Sequence, residues 1–326
     1  MSSSAALIAL NAADILRLLE PAETVGLVEA AALAAGSGDC VVPARQHIRW
    51  PAGTLLTMPA IAPGVMSVKL VSVVPGNAAR RLPVTNGLLV LSDAETGLPL
   101  ALLNAAALTA MRTGAVGALG IKYLSPPDTS SLGVVGTGVQ GTWVAISACA
   151  IRPIRTVFAV HRSAASFASF ERALGEHAPG VRVVACANAA ELLGRTDLIV
   201  TATTSAVPVL PDEASLLEGR HFIAIGSYER HMRELPDSVF RLSGHLVLDS
   251  EFARHEVGEA VVSVEQGLLA EANVFTIGEL VAGRRAPDIT RTTVYKSAGM
   301  ALFDLYVARA LHEAAQRRGV GQELTL

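Results

Sequence analysis

The rhythm of apolar and polar positions changes once along the chain. In the first third, Val41–Arg49, Thr54–Ala60, Val65–Val74 and Gly87–Asp93 alternate apolar with polar residues, and turns close each run. A period of two predicts half-buried strands in a meander. The segment Asp93-Ala94-Glu95-Thr96-Gly97 reads as a tight turn, returning the chain through Leu98–Asn104. Two helices precede the meander. Asn11 caps the first, with Asp14 completing the cap; the second covers Pro21 to Ala35 and stops at Gly36. A helix of small residues, Leu108–Leu124, ends at the break Ser125-Pro126-Pro127-Asp128.

Beyond Leu132 the apolar runs become continuous. Leu132–Val135, Thr156–Val160, Val181–Ala185, Leu198–Thr201, Phe222–Ile225 and His245–Leu248 alternate with helical stretches. This order predicts βαβ units and a parallel sheet covered on both faces. Lys296–Arg318 reads as a final long helix that packs back on the N-terminal part.

Composition fits this reading. At roughly 100–200 residues per domain, a chain of 326 residues predicts two domains, and 51% hydrophobic residues supply ample core. The net charge of -3 argues against a nucleic-acid surface. Cys40, Cys149 and Cys186 are too far apart for a zinc motif and read as free thiols of a reducing compartment. The N-terminus lacks the features of a secretory signal, and no apolar run reaches the ~18–20 residues that span a bilayer. A soluble, cytoplasmic protein without membrane or nucleic-acid partners is expected.

The first chemical motif is GxGxxG at Gly136, Gly138 and Gly141. It follows an apolar strand and precedes a helix expected to begin at Thr142, which is the context dinucleotide binding requires. Gly136 permits the tight turn, Gly138 lets the backbone approach a pyrophosphate, and Gly141 lets helix and strand lie close. The helix N-terminus supplies N–H groups to the anion. An acid about 20 residues further on normally accepts the ribose hydroxyls. Here that place, in "VFAVHRS", holds His161, followed by Arg162 and Ser163. Arg162 pairs well with a phosphate and Ser163 can donate to one. NADP(H) is therefore the preferred cofactor, with NAD(H) also possible if Arg162 is merely a solvated surface residue.

Three further stretches carry a family resemblance: "MRTGAVGALGIKYL", "IAIGSYERHMRELP" and "TTVYKSAGMALFDLYVA". Together with the glycine motif they resemble the ornithine cyclodeaminase/μ-crystallin family, over essentially the whole chain. The resemblance implies an α/β subunit: a Rossmann domain at residues 121–299, and an α+β substrate-binding and dimerisation domain at residues 1–120, joined by a C-terminal helix at 300–326. It implies a homodimer and a small α-amino or α-imino acid as substrate.

By the same resemblance Arg45, Lys69 and Arg112 hold the substrate carboxylate, Lys69 and Arg112 doubling as the catalytic candidates; Met58 either lines the same pocket or is a plain core residue. The residues themselves agree. Lys69 stands in a strand of Val, Met and Leu, and Arg112 interrupts a helix of Ala, Gly and Leu; charges in such places are costly unless paired. The alternative is a structural pairing, such as Lys69 with Asp93. The resemblance places the cofactor against Thr113, Val139, Gln140, Thr201, Ala202, Thr203, Gly226, Ser227 and Val294, besides the glycines and the His161-Arg162-Ser163 cluster. Thr201 to Thr203 follow a strand at its carboxyl end, where ligands lie in an open α/β sheet; a turn motif is their simpler alternative.

One position departs from the cyclodeaminase pattern. Where those enzymes carry an acid in a "GGDCPGK"-like loop, this chain has Gly226-Ser227-Tyr228-Glu229. Tyr228 replaces the acid, and Glu229 is one residue off. The missing acid points away from cyclodeamination and towards the imine-reductase branch. The expected reaction is hydride transfer to C2 of a cyclic imino acid, giving proline or pipecolate. Ornithine cyclodeaminase, alanine dehydrogenase and a non-enzymatic, crystallin-like binder remain the alternatives. No metal-ligand spacing and no GxSxG elbow is present.

Overall fold

The computed structural model describes residues 6–325; residues 1–5 and 326, the extremes of the expected substrate domain, lie outside the described residues. The chain forms two compact units, Met1–Arg112 with Met300–Leu326, and Thr113–Gly299.

The first unit is built on strands β1 (Ala6–Leu10), β2 (Gln46–Trp50), β3 (Gly53–Ala62), β4 (Val65–Val73), β5 (Thr85–Asp93) and β6 (Pro99–Asn104). With the terminal strand Gln322–Thr325 they form a seven-stranded sheet, ordered terminal strand, β1, β6, β5, β4, β3, β2. The pairs β2–β3, β3–β4, β4–β5 and β5–β6 are antiparallel, as the meander predicts. Helices α1 (Ala12–Leu18) and α2 (Pro21–Ala34) follow β1. The expected cap forms: Asn11 Oδ1 accepts from the Asp14 N–H at 3.0 Å and Asp14 reaches back to the Asn11 N–H at 3.2 Å. The turn after β5 forms too. Asp93 Oδ1 accepts from the backbone N–H groups of Glu95 and Thr96, at 3.0 and 2.7 Å. The C-terminal helix Ala301–Arg318 packs on β3, β4 and α2. It buries the sheet face carrying Met58, Ala60, Lys69, Val71, Leu89, Leu91, Ala101 and Leu103.

The strand Ala6–Leu10 and its partner Gln322–Thr325 go beyond the sequence reading. Their pairing joins opposite ends of the chain, and neither "ALIAL" nor "QELT" alternates enough to announce a strand.

The second unit begins within helix α3 (Ala105–Leu124). The division falls after Arg112, whereas the expected boundary at residue 120 lies later in the same helix. Its glycines explain why. A Cβ at Gly117 would meet Val144 Cγ2 at 2.7 Å, and one at Gly120 would meet the Tyr295 ring at 2.2 Å. This half of the helix thus sits against the second unit's own core.

That core surrounds β7 (Ser131–Val135), β8 (Thr156–Val160), β9 (Arg182–Ala185), β10 (Leu198–Thr201), β11 (His221–Ala224), β12 (Leu246–Leu248), β13 (Val274–Thr276) and β14 (Thr293–Lys296). The sheet is parallel throughout, ordered β13-β12-β14-β11-β10-β7-β8-β9. This is the doubly wound, Rossmann-type arrangement. Helix α4 (Val139–Ile151) follows β7 and α5 (Ala164–His177) follows β8. Helix α4 opens three residues before the expected Thr142, so Gly141 lies in its first turn.

Lys296 ends β14 instead of opening the last helix, which starts at Ala301. The intervening residues fold onto Asp249, whose Oδ2 accepts from Ser297 Oγ at 2.6 Å and from the N–H groups of Ala298 and Gly299, at 2.9 and 2.5 Å. Gly299 has φ +84°, which a helical start does not allow. Among the described residues no helix is long and apolar enough to cross a membrane.

Candidate active site

In the second unit the glycine loop has the shape of an anion cradle. Gly136 takes φ +104°, and its N–H donates to the Val160 carbonyl at 3.0 Å. A Cβ at Gly141 would lie 2.0 Å from the Gly136 carbonyl oxygen, so only glycine allows α4 to start so close to β7. Gly138 is the N-cap of α4 and offers no side chain to its first turn. A Cβ there would meet nothing within 4 Å. A helix N-terminus with room beside it suits a dinucleotide pyrophosphate. Val139 is 63% exposed beside them, while the Gln140 Oε1 is buried without a partner.

At the end of β8, Arg162 and Ser163 are exposed and His161 is half-buried. The His161 ring lies 4.8 Å from that of Phe167. Ser163 caps α5, its Oγ accepting from the Ser166 N–H at 3.2 Å. Thr137 Oγ1 donates to Ser166 Oγ at 3.1 Å, which ties the glycine loop to the start of α5.

Several side chains expected at the cofactor are committed elsewhere. Thr203 gives both its donors to Glu234 Oε1, N–H at 2.6 Å and Oγ1 at 2.9 Å. Ser227 Oγ donates to Glu259 Oε2 at 2.6 Å. Thr201 is buried, and Val294 is fully enclosed among the core residues of the sheet. Of the expected cofactor contacts, Val294 is thus enclosed and the Ser227 hydroxyl is turned to Glu259. At Ala202, Thr203 and Gly226 the backbone N–H groups are also taken, by the Val135 carbonyl and by Glu234, which leaves their carbonyls. Thr113 is buried on α3.

Behind these loops lies a residue that sequence reading missed. Glu234 is fully buried; its second oxygen accepts from the N–H groups of Gly226 at 2.7 Å and Ser227 at 3.2 Å. One carboxylate thus fastens the loops after β10 and β11 together. Glu259 backs it, accepting from the Glu234 N–H at 2.7 Å, and buried Lys296 stands 4.0 Å from Glu259.

In the first unit the expected substrate residues converge. Lys69 and Met58 are opposite each other across β4 and β3, and both are buried. Lys69 Nζ donates to Asp304 Oδ2 at 2.7 Å and to Thr109 Oγ1 at 3.3 Å. Arg112 Nε donates to Asp304 Oδ1 at 2.9 Å, and Arg112 Nη1 is buried without a partner. Burial pulls the Lys69 pKa down to about 8; Asp304 pushes it up, and the charges of Arg112 and Arg45 push it down again. The structural partner of Lys69 is therefore Asp304, not Asp93, whose carboxylate is spent within its own turn. Two cations share one carboxylate, which leaves one positive charge uncompensated in a buried place.

The pattern of the ornithine cyclodeaminase/mu-crystallin family matches residues 8–319. The chain belongs to this family. Among relatives, it is 35% identical to a Δ1-pyrroline-2-carboxylate reductase of Bacillus cereus, over 83% of this chain and 84% of the relative. Among solved structures, it is similar to the Thermococcus litoralis Δ1-pyrroline-2-carboxylate reductase in complex with NADH and L-proline. That match has a TM-score of 0.90 and 30% identity, covering 98% of this chain and all of the other. An archaeal alanine dehydrogenase dimer with bound NAD matches with a TM-score of 0.90 and 28% identity, over 99% and 100% of the two chains. Family and fold make the chain an oxidoreductase that uses a nicotinamide dinucleotide.

Within the family frame, the loop carrying Tyr228 stands out. Tyr228 is half-buried, and burial, helped by the charge of Glu229, raises its pKa. Glu229 Oε2 lies 3.3 Å from His231 Nδ1, so this carboxylate is engaged inside its own loop.

Proposed function

We propose that this protein reduces a small cyclic imino acid, Δ1-pyrroline-2-carboxylate or Δ1-piperideine-2-carboxylate, to proline or pipecolate. The observation that carries the reading is the buried pair of Lys69 and Arg112, with one charge in excess over Asp304. A monocarboxylate neutralises that excess, and Arg112 Nη1 has a donor unspent for it. Arg45 contributes further positive potential to the same place. When bound, a reduced dinucleotide would supply a hydride from C4 of its nicotinamide to C2 of the imine, whose nitrogen would take a proton. The protein's part is to hold the carboxylate, fix the ring's orientation, and keep a cation near the reacting nitrogen.

The names of the similar proteins support the substrate class. Tyr228 in place of an acid, with Glu229 turned to His231, leaves the loop without the carboxylate that ring closure from an open diamine calls for. Alanine dehydrogenase is the second reading, favoured by the match to the archaeal enzyme; it needs the same carboxylate grip. Nicotinamide absorbance followed with each cyclic imine, with pyruvate plus ammonia, and with L-ornithine decides between them. Turnover of the cyclic imines is the expected result. Oxidation of the cofactor with pyruvate and ammonia alone overturns the proposal.

For the cofactor, we infer a preference for NADPH. No acid stands at the end of β8 to repel a 2′-phosphate, and Arg162 is exposed beside the free end of α5. We also infer a homodimer formed through the first unit's sheet.

A further inference from the structure

We propose that Asp304 is the positioning residue of the carboxylate pocket, holding Lys69 and Arg112 on its two oxygens so that each keeps an unspent N–H for the substrate. The proposal rests on reading this cluster as the substrate site.

Asp304 lies in the first turn of the C-terminal helix and is 1% exposed. Its neighbours in sequence, Leu302, Phe303 and Leu305, are fully buried. A buried ion pair is by itself a weak source of stability. The carboxylate does something an apolar residue does not. It draws together two side chains from β4 and α3, each through a different oxygen: Lys69 at 2.7 Å and Arg112 at 2.9 Å.

The geometry of each contact leaves a remainder. Arg112 docks through Nε, and its Nη1 is buried without a partner. Lys69 has three N–H groups and spends them on Asp304 and Thr109 only. The unspent donors belong to groups fixed on one carboxylate, which gives the pocket a defined separation between its cations.

Asp304 also sets the charge state of Lys69. The groups facing Lys69 are Asp304 from the C-terminal helix, Arg112 and Thr109 from α3, and Arg45 from the segment before β2. Its cross-strand neighbours, Met58 and Leu89, are uncharged. Burial, Arg112 and Arg45 all drive the ammonium towards its neutral form, and Asp304 opposes them through its charge and its hydrogen bond. Substrate carboxylate binding needs the charged form, so binding falls as pH rises through the Lys69 pKa. Without Asp304 that alkaline limb moves to lower pH.

The test is calorimetric titration of the NADH-loaded protein with L-proline across pH, for the unsubstituted chain and Asp304→Asn. The unsubstituted protein loses affinity near pH 8. In the variant the limb moves down by about one unit or more, so that affinity above pH 8 falls about tenfold and recovers in acid, while NADH affinity holds. A uniform loss of affinity with the limb unmoved gives Asp304 a merely structural role and overturns the proposal. If the unsubstituted protein binds no L-proline at any pH, the substrate-site reading fails and takes this inference with it. Should Asp304→Asn not fold, Lys69→Arg replaces the titrating group by one charged at every accessible pH. Its limb disappears if Lys69 is the group Asp304 holds, and a limb that stays in place overturns the proposal.

Discussion

At Lys69 a single residue carries both the structural and the chemical argument. A lysine inside "VMSVKLVSV" is conspicuous in sequence, because a charge among apolar strand residues is costly without a partner. Arg112 is conspicuous for the same reason. Their common partner is not: Asp304 in "ALFDLYVA" reads as an ordinary acid on a helix, and it is 235 residues from Lys69. Side-chain pairing at that separation is set by which helix covers which sheet face, and local pattern does not encode it. The same limit applies to Ser227 and Val294, whose commitment to Glu259 and to the core appears only once the loops are folded. The site's residues nevertheless make separable predictions. Arg112→Ala removes a donor and leaves Asp304 with one cation; truncating a buried charged partner costs about 2–5 kcal/mol. The KM for the cyclic imine should rise by about thirtyfold or more, with dinucleotide affinity unchanged in a fluorescence titration. A collapse of dinucleotide binding instead would mean that Arg112 serves the cofactor. Arg162→Asp should weaken NADPH about tenfold or more, through loss of a charge-assisted contact and gain of a repulsion, and should affect NADH far less. Equal effects on both cofactors would remove Arg162 from the 2′-phosphate.

At the scale of elements, strands that alternate and strands that are continuously apolar were both legible, because each reports the layers on its faces. Strands β13 and β14 and the two strands at the chain ends were not. They are short and owe their conformation to neighbours distant in sequence. The glycine loop was legible to the residue, and the structure gives the reason a physical size. At Gly141 a methyl group would sit 2.0 Å from the Gly136 carbonyl oxygen, well inside contact distance. Since that obstacle is backbone, α4 must move away from β7 to admit it. Gly141→Ala should therefore lower dinucleotide affinity about tenfold or more, since the N–H groups of the first turn no longer converge on one anion. Far-ultraviolet dichroism should show the fold retained. Unchanged affinity in that variant would mean that the pyrophosphate sits elsewhere.

At the scale of the whole molecule, the first unit's sheet presents a problem that one chain leaves unsolved. The C-terminal helix covers one face. The other carries Ile48 at 50% exposure, Leu70 at 42% and Leu88 at 49%, with Trp50, Ile61 and Val68 similarly exposed. The register places these on a common side: Leu70 is opposite both Thr57 and Leu88, and Val68 is opposite Pro59 and Val90. A contiguous apolar face of this kind marks an interaction surface. The homodimer proposed above would seat a second copy of the chain on this face. In a two-fold interface each substitution acts twice, once from each copy. Leu70→Asp puts two carboxylates into an apolar contact, where unpaired charge is expensive. Sedimentation velocity should show the unsubstituted chain as a dimer and the variant as a monomer at micromolar concentration. The variant should still bind dinucleotide, since the cradle is built wholly from the second unit. A variant that sediments as a dimer would move the interface off this face, and an unsubstituted chain that sediments as a monomer would reject the dimer itself.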